Sequence, residues 1–306
     1  MIQPGRDLAP TRYLVIWNPD AGSRVGLPTD LAGESTLRRA MSDYGLGEEL
    51  FASPSVAATC ARLDVGANER YDVVVAAGGD GTVGVVAKHL IGTDIALGIL
   101  PTGSLMNIVR SLGIPRDVDA AAQVIATGMV KTIDVGRSRG GLFFEVASIG
   151  MGAALLGETH EIATGRLGSI RELIRAFVFT PAARMSIEID DRTIQTDALM
   201  VAVANAPFTG AGLALAPDTR LDDGRFDICV YRRFSRLGLL VHLGTIAAGR
   251  RHHSPRIDTY RSRRVQVAAL RPLPVRADAM DLGTTPVGFV VLPAALRVIV
   301  RRQRDR

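Results

Sequence analysis

Apolar residues recur along this chain in two rhythms. Up to about Asp134, short unbroken apolar runs alternate with longer stretches of helical character. Unbroken runs bounded by turn residues are the pattern of strands buried on both faces. Strands are therefore expected at Tyr13–Trp17, Glu49–Ala52, Val73–Ala77 and Ile95–Leu100. Helices are expected at Ser35–Tyr44, at Val56–Leu63, from Thr82 onward and at Asp117–Thr127. Pro19 closes the first strand, because proline cannot continue a ladder. Strand and helix in strict alternation predict a parallel sheet with helical crossovers.

Beyond Asp134 the rhythm changes. The runs "GLFFEVASIG", "RMSIEID", "ALMVAVANA", "RFDICVYRRF", "RRVQVAAL" and "VGFVVL" are short and separated by Gly, Pro, Asp and Arg. That spacing predicts an antiparallel sandwich. The exception is His160–Phe179, where Leu167, Ile170, Leu173, Ile174 and Phe177 recur at helical spacing. With Arg166, Arg171 and Arg175 beside it, this stripe is a candidate membrane-surface contact, although packing against the sandwich accounts for it as well. The junction falls near 133–138, giving an α/β domain at 1–135 and a sandwich domain at 136–292, with the tail at about 293–306 free to return to the first.

Composition narrows the class. The chain has 306 residues, long for one core and comfortable for two. Hydrophobic residues make up 47% and aromatics only 5%, so the cores must be built from Ala, Val, Leu and Ile. The net charge of +5 rests on arginine, Lys88 and Lys131 being the only lysines. Such an excess suits nucleotides, acidic lipid surfaces or nucleic acid without choosing among them. Cys60 and Cys229 lie far apart and form no CxxC pair, and His252 and His253 sit among arginines, so neither a disulfide nor a zinc site is expected. The N-terminus lacks the apolar stretch of a signal peptide, and no run approaches bilayer length. A cytoplasmic protein with at most peripheral membrane contact is expected.

The chemistry concentrates where strands meet helices. In "VVVAAGGDGTVGVVAKHL" an acid, Asp80, stands among Gly78, Gly79 and Gly81. Glycines there let phosphates approach the backbone, and the helix amino end favours anions. Asp80 would repel a bare phosphate, so a divalent cation held between them resolves the conflict. A helix cap by Asp80 or Thr82 in a tight turn also fits these residues. A second loop, "LPTGSLMNIVRSLGIP", places Gly103 and Ser104 at a strand-to-helix junction with Asn107 just beyond. "WNPDAG" lies at the same end of the first strand. Loops gathered at the carboxyl ends of parallel strands form the crevice where such sheets bind ligands.

The ordered set "NPDAG", "GGDGT", "LPTGSLMNIVRSLGIP", "IDVG", "VASIGMGA", "NAPFTGAGLALAP" and "LDDGRFD" resembles the diacylglycerol kinase catalytic-domain lipid kinases, a family that includes bacterial lipid kinases and sphingosine kinases. The resemblance covers nearly the whole chain. It implies an NAD kinase/phosphofructokinase-like α/β domain followed by an antiparallel β-sandwich, with the site in the cleft. The implied reaction moves the γ-phosphoryl of ATP to a lipid hydroxyl with Mg²⁺; the implied partner is a lipid alcohol, not nucleic acid. Carried over by position, Asn18, Ser53, Gly78, Gly79, Asp80, Gly81, Thr82, Gly103, Ser104 and Asn107 hold the nucleotide, and Asp80 lies near the catalytic metal. Asp223 with the carbonyls of Arg220 and Arg225 matches a structural Mg²⁺ site, although "LDDG" alone also reads as a hairpin turn.

The departures bear on activity. Gly84 and Val85 stand where the family carries Asn-Glu, Ser104 replaces a threonine, and Met106 and Glu145 replace asparagines. The family's Asp-Gly-Glu, whose Glu accepts the substrate proton, reads Asp278-Ala279-Met280. Methionine accepts no proton, which leaves Asp278, or Asp281 beside it, as the candidate base. A lipid kinase is the leading reading. The alternatives are a catalytically impaired relative that binds nucleotide or lipid as a regulatory module, favoured by Met280, Gly84 and Val85, and an NAD kinase sharing GGDGT, disfavoured by "NPDAG" and "LGIP". The lipid and the oligomeric state are not legible.

Overall fold

The computed structural model describes residues 11–302 except 21–22, 25–26, 29–32, 70, 105, 155–181, 211, 233, 249–255 and 279. The helix expected at His160–Phe179 and its proposed membrane stripe lie outside these residues.

The first part is an α/β layer. Strands β1 (Tyr13–Trp17), β4 (Leu50–Ala52), β5 (Val73–Gly78) and β6 (Ala96–Pro101) pair in parallel in the order β6-β5-β1-β4. A minimal ladder of β2 (Ser23–Arg24) with β3 (Leu27–Pro28) follows β1. The connections carry helices α1 (Glu34–Tyr44), α2 (Val56–Glu69), α3 (Asp80–Leu90), α4 (Asn107–Leu112) and α5 (Val118–Thr127). Every residue of β5 and β6 is buried, as expected of strands covered on both faces. Two boundaries differ from the sequence expectation. Helix α2 runs six residues past Leu63, and α3 begins at Asp80, two residues before Thr82. Gly79 takes the extended cap position, so the acid and Gly81 form the helix's first turn.

The second part is antiparallel: β8 (Gly141–Phe143), β9 (Val146–Gly150), β10 (Ala183–Ile189), β11 (Arg192–Ala204), β14 (Phe226–Arg232), β15 (Ile257–Ser262), β16 (Arg264–Ala269), β17 (Pro274–Ala277) and β18 (Met280–Thr284), with a small hairpin of β12 (Phe208–Thr209) and β13 (Leu213–Ala214). Burial alternates along β10, one face on the core and one outward. The core here gathers around Phe143, which stacks on Phe226 at 5.7 Å and meets Phe289 edge-on at 5.7 Å. Gly136 makes room for it, since a Cβ there would lie 2.3 Å from the Phe143 ring. The sixth helix among the described residues, α6 (Arg236–Ala247), was not foreseen.

Two strands cross the seam between the parts. β7 (Met129–Ser138) runs unbroken through 133–138, and β19 (Val287–Val300) pairs with it antiparallel along most of its length. β19 also pairs with β16 at its start and, at Val298 opposite Leu97, in parallel with β6. One continuous sheet therefore links both cores. At the seam, buried Asp134 accepts from the Gly224 amide at 2.6 Å and the Ala294 amide at 2.8 Å. The Asn205 amide group donates to the carbonyls of Asp134 at 3.0 Å and Phe144 at 3.1 Å. "IDVG", "NAP" and "LDDG" thus meet at one architectural knot.

Candidate active site

The loops after β1, β4, β5 and β6 all open at one edge of the parallel sheet. Asn18, leaving β1, donates from Nδ2 to the Thr82 hydroxyl at 3.2 Å and so ties the first loop to the glycine loop. Ser53, leaving β4, is buried and fully engaged: its hydroxyl meets Ser55 O at 2.9 Å and Thr59 Oγ1 at 2.6 Å, at the start of α2. Gly78 needs to be glycine because a Cβ would come 2.4 Å from Thr82 Cβ. The two phosphate-type loops touch, for a Cβ on Gly103 would lie 2.4 Å from Gly79 Cα. Arg116 Nη2 clamps the second loop from outside, donating to Gly103 O at 3.0 Å and Ser104 O at 2.7 Å. Ser104 is exposed at the cleft edge.

Met106 takes a left-handed conformation, φ 53°, at the cap of α4. Only a few per cent of non-glycine residues do so. The turn aims the amides of Met106, Asn107 and Ile108 at Asp80. Burial raises the Asp80 pKa, while those amides and the charge of Arg116 oppose the rise. One oxygen, Asp80 Oδ1, is buried and has no hydrogen-bond partner; Asn107 Oδ1 is in the same state. Buried acceptors left open in this way mark a place for a ligand, water or cation.

The opposite wall comes from the second part. The β17–β18 turn holds Asp278 at φ 51°, its carboxyl accepting from Phe144 N at 2.8 Å and Glu145 N at 3.0 Å. Burial raises its pKa to about 6; the two amides and Lys88 oppose this, and the negative charge of Asp80 adds to it. Lys88 reaches across from α3, placing Nζ 3.3 Å from Met280 Sδ. Asp281 lies apart, exposed on β18 and accepting from Gly283 N at 2.8 Å.

Glu145 was read from the sequence only as a departure and not as a site residue. It breaks the run "GLFFEVASIG" into β8 and β9 and is buried. Its Oε2 accepts from Asn107 Nδ2 at 3.1 Å, and Thr209 adds a hydrogen bond. Burial drives its pKa well up, and the charges of Asp278 and Asp80 push it the same way. An acid inside an otherwise apolar run was the signal available in the sequence.

Metal fit divides the two expected sites. Among the described residues no group of three His, Cys, Asp or Glu side chains is placed to hold a metal ion. Asp80 still suits a cation that draws its other oxygens from phosphate, since Oδ1 is open. The Arg220, Asp223 and Arg225 set does not fit one. Asp223 Oδ1 accepts from Arg225 N at 3.0 Å, and Oδ2 is taken by the guanidinium of Arg261. Arg261, cross-strand from Asp227, also bonds that carboxyl at 3.2 Å. A side-chain cation occupies the place given to the metal.

Comparison with known proteins agrees with this architecture. Residues 12–138 match the diacylglycerol kinase catalytic domain, and residues 150–300 match the YegS C-terminal NAD kinase beta sandwich-like domain. The chain is 28% identical over 241 residues to a diacylglycerol kinase of Bacillus subtilis, covering 76% of this chain and 79% of that one. It is 26% identical over 293 residues to a diacylglycerol kinase of Staphylococcus saprophyticus, covering 94% of each. Two Bacillus anthracis crystal structures described as diacylglycerol kinases share the fold, with TM-scores of 0.75 and 0.71 at 23% and 19% identity, each match covering 95% of this chain and 97% of its counterpart.

Proposed function

The chain belongs to the family in which a diacylglycerol kinase catalytic domain precedes a YegS C-terminal domain, and on that premise we propose that it is an ATP-dependent kinase acting on the hydroxyl of a diacylglycerol-type lipid. The observation that carries this reading is Asp80 Oδ1, a buried and open carboxylate oxygen where two glycine loops and two helix starts converge. Backbone amides of that kind suit phosphate oxygens. Gly78 to Thr82, Gly103, Ser104, Asn107 and Asn18 hold the nucleotide in this reading, with Ser53 bracing the edge. Asp80 would hold a Mg²⁺ ion, which would supply neutralisation of phosphate charge.

Phosphoryl transfer depends chiefly on positioning and charge stabilisation. The lipid oxygen bonds to the γ-phosphorus as the bond to the departing ADP breaks, and the hydroxyl proton passes to a protein base. Asp278 is that base. With a pKa near 6 it is ionised at neutral pH yet still basic enough to accept a proton. Burial and the charges of Asp278 and Asp80 push the Glu145 pKa well up as well, so its carboxyl is less ready to carry charge beside Asp278 than an exposed acid would be. The charge of Lys88 favours the ionised form of Asp278.

A second reading is a nucleotide- or lipid-binding module without turnover. Met280 favours it, its thioether lying against Lys88 where the family carries a carboxylate. A labelled-ATP assay on total lipid extract, run on wild type and Asp80→Ala, separates the two. Transfer to lipid that falls at least about 100-fold in the variant is expected. ATP binding with no transfer to any lipid establishes the module, and transfer unchanged in Asp80→Ala removes Asp80 from the mechanism.

A further inference from the structure

Helix α6 is apolar all round, yet only one side of it is covered. Leu239 and His242 are buried, and His242 packs on the rings of Phe234 and Tyr231, with centroids 5.4 Å and 6.0 Å away. The other side presents Leu237, Leu240, Val241 and Gly244, successive positions on one face. Leu237 is 69% exposed, Val241 60% and Leu240 37%. Three of the seven large hydrophobics exposed among the described residues thus sit on one helix, and no other element carries as many. A surface helix ordinarily turns polar residues outward, and a helix apolar on every side is ordinarily buried. The ridge therefore calls for a covering surface.

The surrounding sequence identifies the chemistry of that surface. From residue 232 to residue 256 there are six arginines, at 232, 233, 236, 250, 251 and 256, and no aspartate or glutamate, in a chain with 31 acids. Arg232 is paired with Asp258 and Arg256 lies over the Phe234 ring, so part of this charge is already engaged. The rest of that charge belongs to the same acid-free stretch of sequence as the ridge. Apolar residues flanked by arginine and free of acid match the interface of an anionic bilayer, into which such helices lie flat. A second copy of the chain fits poorly, since a two-fold contact sets one arginine-rich, acid-free segment against its own like.

The ridge is also connected to the cleft. α6 packs on β13, and the β12–β13 hairpin packs on α4. Arg110 of α4 stacks on Phe208 at 4.1 Å, and Asn107 Nδ2 donates to Gly210 O at 2.9 Å. Thr209 of that hairpin bonds Glu145.

We propose that the outward ridge of α6, Leu237, Leu240, Val241 and Gly244, in its arginine-rich and acid-free stretch of sequence, docks the protein on an anionic lipid surface beside the mouth of the cleft. The docking is read from the surface itself; only its purpose, access to a membrane-embedded alcohol, rests on the proposed function.

Flotation with vesicles tests it, comparing phosphatidylcholine alone with phosphatidylcholine containing phosphatidylglycerol. Wild type is expected to float with the anionic vesicles and less with neutral ones, and to release as salt rises. Leu237→Asp with Val241→Asp is expected to lower partitioning at least about tenfold. A second variant reads the ridge directly: Leu237→Trp in a Trp17→Phe background, whose emission should shift to the blue only with anionic vesicles. Failure of wild type to float, flotation unchanged in the double Asp variant, or an unshifted tryptophan would each overturn the proposal. So would a dimer abolished by the Asp pair without any vesicle binding. Flotation is independent of turnover, so binding without phosphorylation sinks the kinase reading and leaves the docking surface intact.

Discussion

Replacing Arg261 by methionine isolates what the guanidinium does at the place where the family resemblance implies a metal. Methionine keeps most of the stem and removes the charge. The arginine bonds Asp223 and, at 3.2 Å, Asp227; the aspartate side chains are 18% and 12% exposed and the arginine 48%. Stripping a partner from a fully buried pair costs about 3–5 kcal/mol, and from an exposed pair at most about 1 kcal/mol. Buried acids with a half-exposed cation fall between, at about 1–3 kcal/mol. For a chain of this size that lowers Tm by roughly 2–5 °C. The loss should shrink as the pH falls and Asp227, whose pKa burial raises, takes up its proton. Thermal unfolding followed by circular dichroism, in chelator and in millimolar Mg²⁺, is the assay. Wild type should melt alike in both, whereas Arg261→Met should melt lower and regain part of the loss with Mg²⁺. A saturable Mg²⁺ stabilisation of wild type that disappears in Asp223→Ala would refute the argument that the arginine has taken the cation's place. An unchanged Tm in Arg261→Met would refute the stabilising role.

Two further outcomes follow from the site. Gly103→Ala puts a methyl 2.4 Å from Gly79 Cα, backbone against backbone. The loops must part, at about 1–3 kcal/mol, with weaker nucleotide binding by calorimetry; Gly81→Ala, with nothing within 4 Å, should leave stability almost unchanged. The second concerns pH. Asp80, Glu145 and Asp278 all bind their protons more tightly when folded, so their contribution is full below the ordinary carboxylate range and is lost as pH rises through the folded values, for Asp278 from 3.8 to about 6. Urea unfolding should therefore show the ligand-free protein more stable at about pH 5 than at about pH 7.5, with a flatter dependence in Glu145→Gln.

The parallel layer was legible because its strands are unbroken apolar runs and its helices start beside glycine or capping residues. Val73–Gly78 and Ala96–Pro101 needed no tertiary information. α6 was hidden because its apolar residues face both ways, leaving no helical periodicity to detect. The start of α3 at Asp80 escaped because glycine at 79 and 81 reads as loop, while the fold uses only Gly79 outside the helix. Glycine loops, Asp80 and Asp278 could be named from their motifs. The tie of Glu145 to Asn107, 38 residues away, and that of Arg261 to Asp223, also 38 residues away, are made only when the chain is folded. No local pattern encodes them.

The position of the site at the seam constrains how it can move. Its nucleotide wall belongs to the parallel layer and Asp278 to the antiparallel one, an arrangement that in other folds opens and closes about a hinge. Here β7 and β19 pass through the seam as paired strands, in register from Met129–Val300 to Ser138–Phe289. The one break in that ladder, between Leu292 and Leu296, is pinned by the Ala294 amide on Asp134, which also holds Gly224. A rigid rotation of one core against the other would have to shear these strands and unmake a buried carboxylate's hydrogen bonds. Motion that admits a substrate must therefore be local, in the β17–β18 turn that carries Asp278 and in the contacting loops at Gly79 and Gly103. Strained backbone at Met106 and Asp278 lies on the two facing walls of the cleft, where small changes in φ would carry the reacting groups together.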